Sequence, residues 1–133
     1  MMRTLICALI VTVLVVPCAA QNAVKKQVTK DDFLVKTTAQ LLNLCTACKD
    51  DPHYKEAIHF CYGYLIGAYH YYVAESAGPN GRKLVCPPDP PPTRNEAIRM
   101  FIGWAKKHPE YLQDPPVETE FRFLMEEWPC DQK

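Results

Sequence analysis

The sequence has no surplus of charge of either sign: 15 Lys and Arg stand against 15 Asp and Glu in 133 residues. That balance excludes a strongly basic nucleic-acid binder, which needs excess Lys and Arg to neutralise phosphates. Glycine is scarce, at 5 residues, and no glycine-rich phosphate loop can be drawn. No stretch alternates apolar and polar residues with the period of two that a half-buried strand requires. A sheet is therefore not expected, and no internal repeat is present. No Ser-His-Asp or Cys-His set can be assembled for nucleophilic catalysis, so no enzymatic activity is expected, and no cofactor. Disorder is excluded in turn, because apolar residues make up 48% and charged residues only 23%, enough to build a core. The length suits one domain rather than two.

Proline and cysteine are abundant, at 12 and 7 residues. Together with the few glycines they point to a helical domain with rigid loops, cross-linked in an oxidising compartment. The first 20 residues support that location. Arg3 precedes an apolar run over residues 5–16, and Cys18-Ala19-Ala20 offers a small-x-small cleavage site. The run is shorter than the roughly 20 residues that span a bilayer, so it reads as a signal peptide (residues 1–20) rather than an anchor. Lipidation at Cys18 is disfavoured by Pro17. Cleavage before Gln21 removes one base and no acid, so the 15 and 15 become 14 and 15, a net charge of −1.

After a polar segment over residues 21–32, four helices are predicted. Thr29 and Asp32 form a capping pattern. Leu34, Thr38, Leu41, Cys45 and Cys48 then fall at helical spacings up to the break at Pro52. The second helix covers residues 54–75 and is apolar nearly all round, with a stripe of Ile58, Cys61, Leu65, Tyr69, Tyr72 and Val73. A helix of that kind sits centrally or in an oligomer contact. Gly63 and Gly67 share one face, which predicts close approach of another helix backbone. Residues 76–92 form a loop with a Gly78-Pro79-Asn80-Gly81 turn and a stiff proline run after Cys86. Thr93 and Glu96 make a capping box for the third helix, whose face is Ile98, Phe101, Ile102 and Ala105. Lys106, Lys107 and His108 complement its C-terminal dipole. Asp114-Pro115 starts the fourth helix, with Val117, Phe121, Leu124 and Trp128 as its stripe. Glu118, Glu120, Glu126 and Glu127 read as its solvated face.

The cysteines are read as disulfides. In an antiparallel hairpin the end of the first helix meets the start of the second, which pairs Cys45 with Cys61. Cys86 precedes the third helix and Cys130 follows the fourth, which pairs those two. Cys48 lies one helical turn from Cys45 and can take its place, so that alternative stays open. Cys45-Thr-Ala-Cys48 has the form of a redox C-x-x-C, but it sits at a helix C-terminus, where the dipole does not favour thiolate. A zinc site drawn from Cys45, Cys48, His53, His59 and Cys61 matches no closed four-ligand spacing, and no metal is expected.

Five pieces occur in order: Leu41-Leu42-Asn43-Leu44-Cys45, Cys61-Tyr62-Gly63-Tyr64-Leu65-Ile66-Gly67, Val85-Cys86-Pro87-Pro88, Lys107-His108-Pro109-Glu110 and Glu127-Trp128-Pro129-Cys130. The combination resembles the Tai-type (Rap/Tai) immunity proteins of type VI secretion amidase effectors, over residues 33–130. The resemblance implies an all-helical periplasmic protein, often a homodimer, that plugs the Cys-His cleft of a peptidoglycan amidase. The position three after Gly67, often acidic in that family, is His70 here.

An inhibitor benefits from rigidity, since preorganisation lowers the entropic cost of binding. The polar, basic turn ending in Arg82-Lys83 lies between the central helix and Cys86. Asn80, Arg82 and Lys83, with His70, are therefore the candidate partner contacts. The rival reading from another class is a small periplasmic chaperone of the acid-stress kind, also helical and disulfide-bonded.

Overall fold

The computed structural model describes residues 26–130. The expected signal peptide and the first part of the polar segment lie outside them. Four α-helices among the described residues make up the fold: α1 (Thr38–Cys45), α2 (Tyr54–Ser76), α3 (Arg94–Ala105) and α4 (Pro116–Glu127). Among the described residues there is no strand, only a single antiparallel bridge between Val85 and Pro129. The all-α expectation holds, with changes at several ends.

The Thr29–Asp32 box is formed, but it caps a short 3-10 turn, Lys30–Leu34, not the helix. The turn ends at Val35, whose φ of 48° is left-handed, a costly conformation for a β-branched residue. The helix proper restarts from a second box, Thr37 with Gln40. It stops at Cys45, well before Pro52, so Cys48 lies in the following turn and not on α1's face. Asp32 is buried, and its carboxylate accepts from Thr29 N and Oγ1 at 2.8 Å and from Asn43 Nδ2 at 2.9 Å. Burial alone raises its pKa, but these bonds and the Lys26 ammonium at 3.5 Å outweigh it and hold the group below its ordinary value. Asp51 ties the same region to α2, accepting from Val28 N and His53 N.

The core gathers Leu41, Leu44 and Cys45 of α1, Ala57, Cys61 and Leu65 of α2, Ile98, Phe101 and Ala105 of α3, and Phe123 and Leu124 of α4. Phe101 and Phe123 meet edge to face. At the start of α1, Thr38 N and Ala39 N donate to Asp114 O and Leu112 O at 2.9 Å. The Thr38 and Thr119 hydroxyls bond at 2.7 Å inside the core. Both predicted disulfides are present, Cys45–Cys61 and Cys86–Cys130, which settles the choice between Cys45 and Cys48 for Cys61. Each closes one end of a helical hairpin.

Two expectations for packing are overturned. Gly63 and Gly67 face open space: among the described residues a Cβ at either meets nothing within 4 Å, so none of the other described helices approaches there. Only Ala57, Cys61 and Leu65 of α2 are buried. The helix lies across the others with one face outward, leaving Tyr71 at 69% and Val73 at 44% exposure. On α4 the buried stripe is shifted by one residue, to Pro116, Thr119, Glu120, Phe123 and Leu124. Val117 is exposed, and the helix begins at Pro116 with Pro115 as its cap rather than Asp114. Glu120, read from sequence as solvated, is therefore inside.

Candidate functional site

The segment between α2 and α3 is built in three parts. Directly after α2 comes the turn at residues 77–81, where Gly81 N donates to Gly78 O at 2.9 Å. A Cβ on Gly81 would run into the Ser76 carbonyl, so glycine is required there by close approach. The chain then doubles back along α2. The Tyr72 hydroxyl accepts from Leu84 N at 2.8 Å and Val85 N at 3.0 Å. Val85 is buried, Cys86 N donates to Trp128 O at 2.9 Å, and the Cys86–Cys130 disulfide locks the same point. Arg82 and Lys83 are exposed between these two anchors, with Asn80 at the tip of the turn. The stretch that follows them is tied to Tyr72 of α2 and to Trp128 and Cys130 after α4.

The third part is the proline run, residues 87–92. It passes over Trp128 and forms one wall of a cleft of about 330 Å³, whose other walls are α2, α3 and α4. Leu65, Ile66 and Tyr69 of α2, Ile98 and Phe101 of α3, and Phe123 of α4 line it. The surface is predominantly apolar, with His70 and Arg94 as its basic residues. A shallower, more open groove lies on the other side of the same prolines, against Met100 and Trp128.

Glu120 lines the first cleft. It is 4% exposed, and its Oε2 has no hydrogen-bond partner. Burial pushes its pKa up to about 8, because a carboxylate in apolar surroundings loses its hydration without replacement. Its neighbour Tyr64 is pushed up as well, by burial and by the Glu120 charge. Tyr69, also on α2, is raised by burial and by Tyr72.

The four predicted contact residues thus fall in two places. Asn80, Arg82 and Lys83 share the exposed segment after α2, while His70 is exposed on α2 and sits at the cleft. The cleft itself was not foreseen. Its one legible signal is spacing: Glu120 is three residues before Phe123 and four before Leu124, on the buried side of α4. His108 bonds Glu110 at 2.9 Å and stacks on Trp104, so it belongs to the end of α3 and not to a site. Among the described residues, no group of three or more His, Cys, Asp and Glu is arranged to hold a metal ion, and no helix is long and apolar enough to cross a membrane.

Comparison with known proteins adds one finding. The family model of the Rap1a immunity proteins matches residues 37–130, well over half of the chain. Neither the curated proteins nor the solved structures give a match.

Proposed function

The chain belongs to the Rap1a immunity protein family, and we propose from that premise that it binds and occludes the active site of a type VI secretion cell-wall amidase. Residues 1–20 export it to the periplasm, and residues 33–130 form the immunity domain. It acts by obstruction rather than by chemistry. The observation that carries this reading is the basic pair Arg82-Lys83, exposed between the turn that ends α2 and a firmly tied stretch at residues 84–86. A wedge that enters an enzyme cleft must keep its shape, and the Tyr72 hydroxyl, the Val85–Pro129 bridge and the Cys86–Cys130 disulfide supply that stiffness. The Cys45–Cys61 and Cys86–Cys130 disulfides fit an oxidising compartment. Arg82 and Lys83 are the residues proposed to enter the partner's site, flanked by Asn80, with His70 as a further contact.

The test is binding of the wild-type protein and the Arg82→Glu/Lys83→Glu variant to type VI secretion peptidoglycan amidases chosen as candidate effectors. Charge reversal at two interface positions is expected to weaken binding at least ~10-fold, mostly when measured at low salt. Unchanged affinity would remove this segment from the interface.

A homodimer belongs to the same proposal. The outward face of α2 carries Phe60, Gly63, Gly67 and Tyr71 in register. Each Gly in a helix interior costs roughly 1 kcal/mol relative to Ala, and none of the described residues uses the space they leave. Light scattering on the wild type and on Gly63→Arg reads the dimer and its loss directly.

A further inference from the structure

The cleft beneath the proline run does not take part in the proposed wedge, apart from His70 at its edge. It nevertheless combines three features that rarely coincide without a ligand. It is concave and of a size that small molecules fill, on the order of 300 Å³ or more. Its walls are apolar side chains from three helices and a stiff proline segment. It also contains a carboxyl group, Glu120, that is 4% exposed and has an oxygen without any partner. Buried polar groups are nearly always hydrogen-bonded, and one left unmade costs about 1–3 kcal/mol. A packing role does not need a carboxyl here, since Leu or Met fills the same space without that cost.

We propose that this cleft binds a small uncharged ligand: an apolar body, such as an arene on a short chain, ending in a group that both donates and accepts a hydrogen bond, with Glu120 as its polar partner. This goes beyond the immunity function and does not depend on it. The uncharged head follows from the surroundings of Glu120. Desolvation is the one cause of its raised pKa, so no cation compensates it. The groups that share the cleft with Glu120 are Tyr69 and His70 on α2 and Arg94 on α3, while Tyr64 on α2 lies near the carboxyl without lining the cleft. The two basic side chains at its edge oppose entry of an ammonium group. A carboxylate would meet a group that must itself stay neutral. A protonated carboxyl offers one O–H and a free acceptor, which matches an amide or a hydroxyl.

The experiment titrates the full processed protein by calorimetry at pH 6.5 with four probes that share one body: 3-phenylpropanamide, 3-phenylpropylamine, 3-phenylpropanoate and propylbenzene. The amide is expected to bind at least ~10-fold more tightly than the other three, the worth of about one hydrogen bond. Glu120→Gln, which keeps both a donor and an acceptor, should retain that preference. Glu120→Leu should abolish it, leaving the amide no tighter than propylbenzene. Should Glu120→Leu fail to fold, Ala97→Phe narrows the cleft without touching Glu120 and should reduce amide binding at least tenfold. No amide binding, equal binding of all four probes, or amide binding that survives Ala97→Phe would each overturn the assignment.

Discussion

Glu120 makes the stability of this protein depend on pH in a direction opposite to that of most carboxyl groups. The perturbation is Glu120→Gln, which preserves shape and removes the charge. In the unfolded chain the carboxyl titrates near its ordinary value of 4.5, while in the fold burial raises it to about 8. Between those values the folded protein keeps a proton that the unfolded chain has released. Stability is therefore full below pH 4.5 and falls as pH rises, by about 1.4 kcal/mol per pH unit at most, until it levels off above about 8. The accumulated loss is on the order of 5 kcal/mol, a large share of the roughly 5–15 kcal/mol that holds a domain together. Urea unfolding of both proteins at pH 5, 6.5 and 8, with disulfides intact, reads the difference. The variant should match the wild type to within about 1 kcal/mol at pH 5 and exceed it by several at pH 8. Every other titrating group is common to the two proteins, so its contribution cancels. Parallel stability curves across that range would refute the burial of this carboxyl.

Three further outcomes follow from the same geometry. Gly63→Ala and Gly67→Ala, measured at concentrations that keep the chain monomeric, should each stabilise it by up to ~1 kcal/mol in thermal unfolding, since neither new methyl meets an obstacle; in a dimer seated on that face the same changes should weaken association. Asp32→Ala removes the acceptor for Thr29 and Asn43 and should cost about 2 kcal/mol at neutral pH; because the folded pKa is lowered, that cost should vanish as pH falls through it. Replacing Cys86 and Cys130 by Ser opens a loop with a sequence separation of 44, which in the chain-entropy model is worth ~4 kcal/mol, and should raise amide exchange over residues 82–86 more than anywhere in α1.

How far the sequence foretold this structure depended on whether the signal was local. The Thr93–Glu96 box, the limits of α2 and the Cys86–Cys130 disulfide follow from spacing and residue type alone, whereas the choice of Cys45 over Cys48 as the partner of Cys61 needs the structure. The break at Val35 did not, because nothing in a β-branched residue announces a left-handed turn; only the second box at Thr37 and Gln40 hinted at a new start. The glycines of α2 were misassigned because a small residue marks a gap without saying what fills it. Glu120 was misassigned because residue identity was weighed above position: its place on α4 is the buried one, and a carboxyl there is a departure from pattern. Local and global preference tend to conflict at sites with a use. The cleft was invisible for another reason, since its walls come from segments 20 to 60 residues apart in the chain that only tertiary packing brings together.

The proposed obstructing role is tested most directly by titrating this protein into type VI secretion peptidoglycan amidases chosen as candidate effectors and following release of cleaved peptidoglycan. The account predicts that hydrolysis falls to background at equimolar protein, and that Arg82→Glu/Lys83→Glu shifts the titration to higher concentration. Full amidase activity in the presence of a large excess of the folded, disulfide-bonded protein would contradict it.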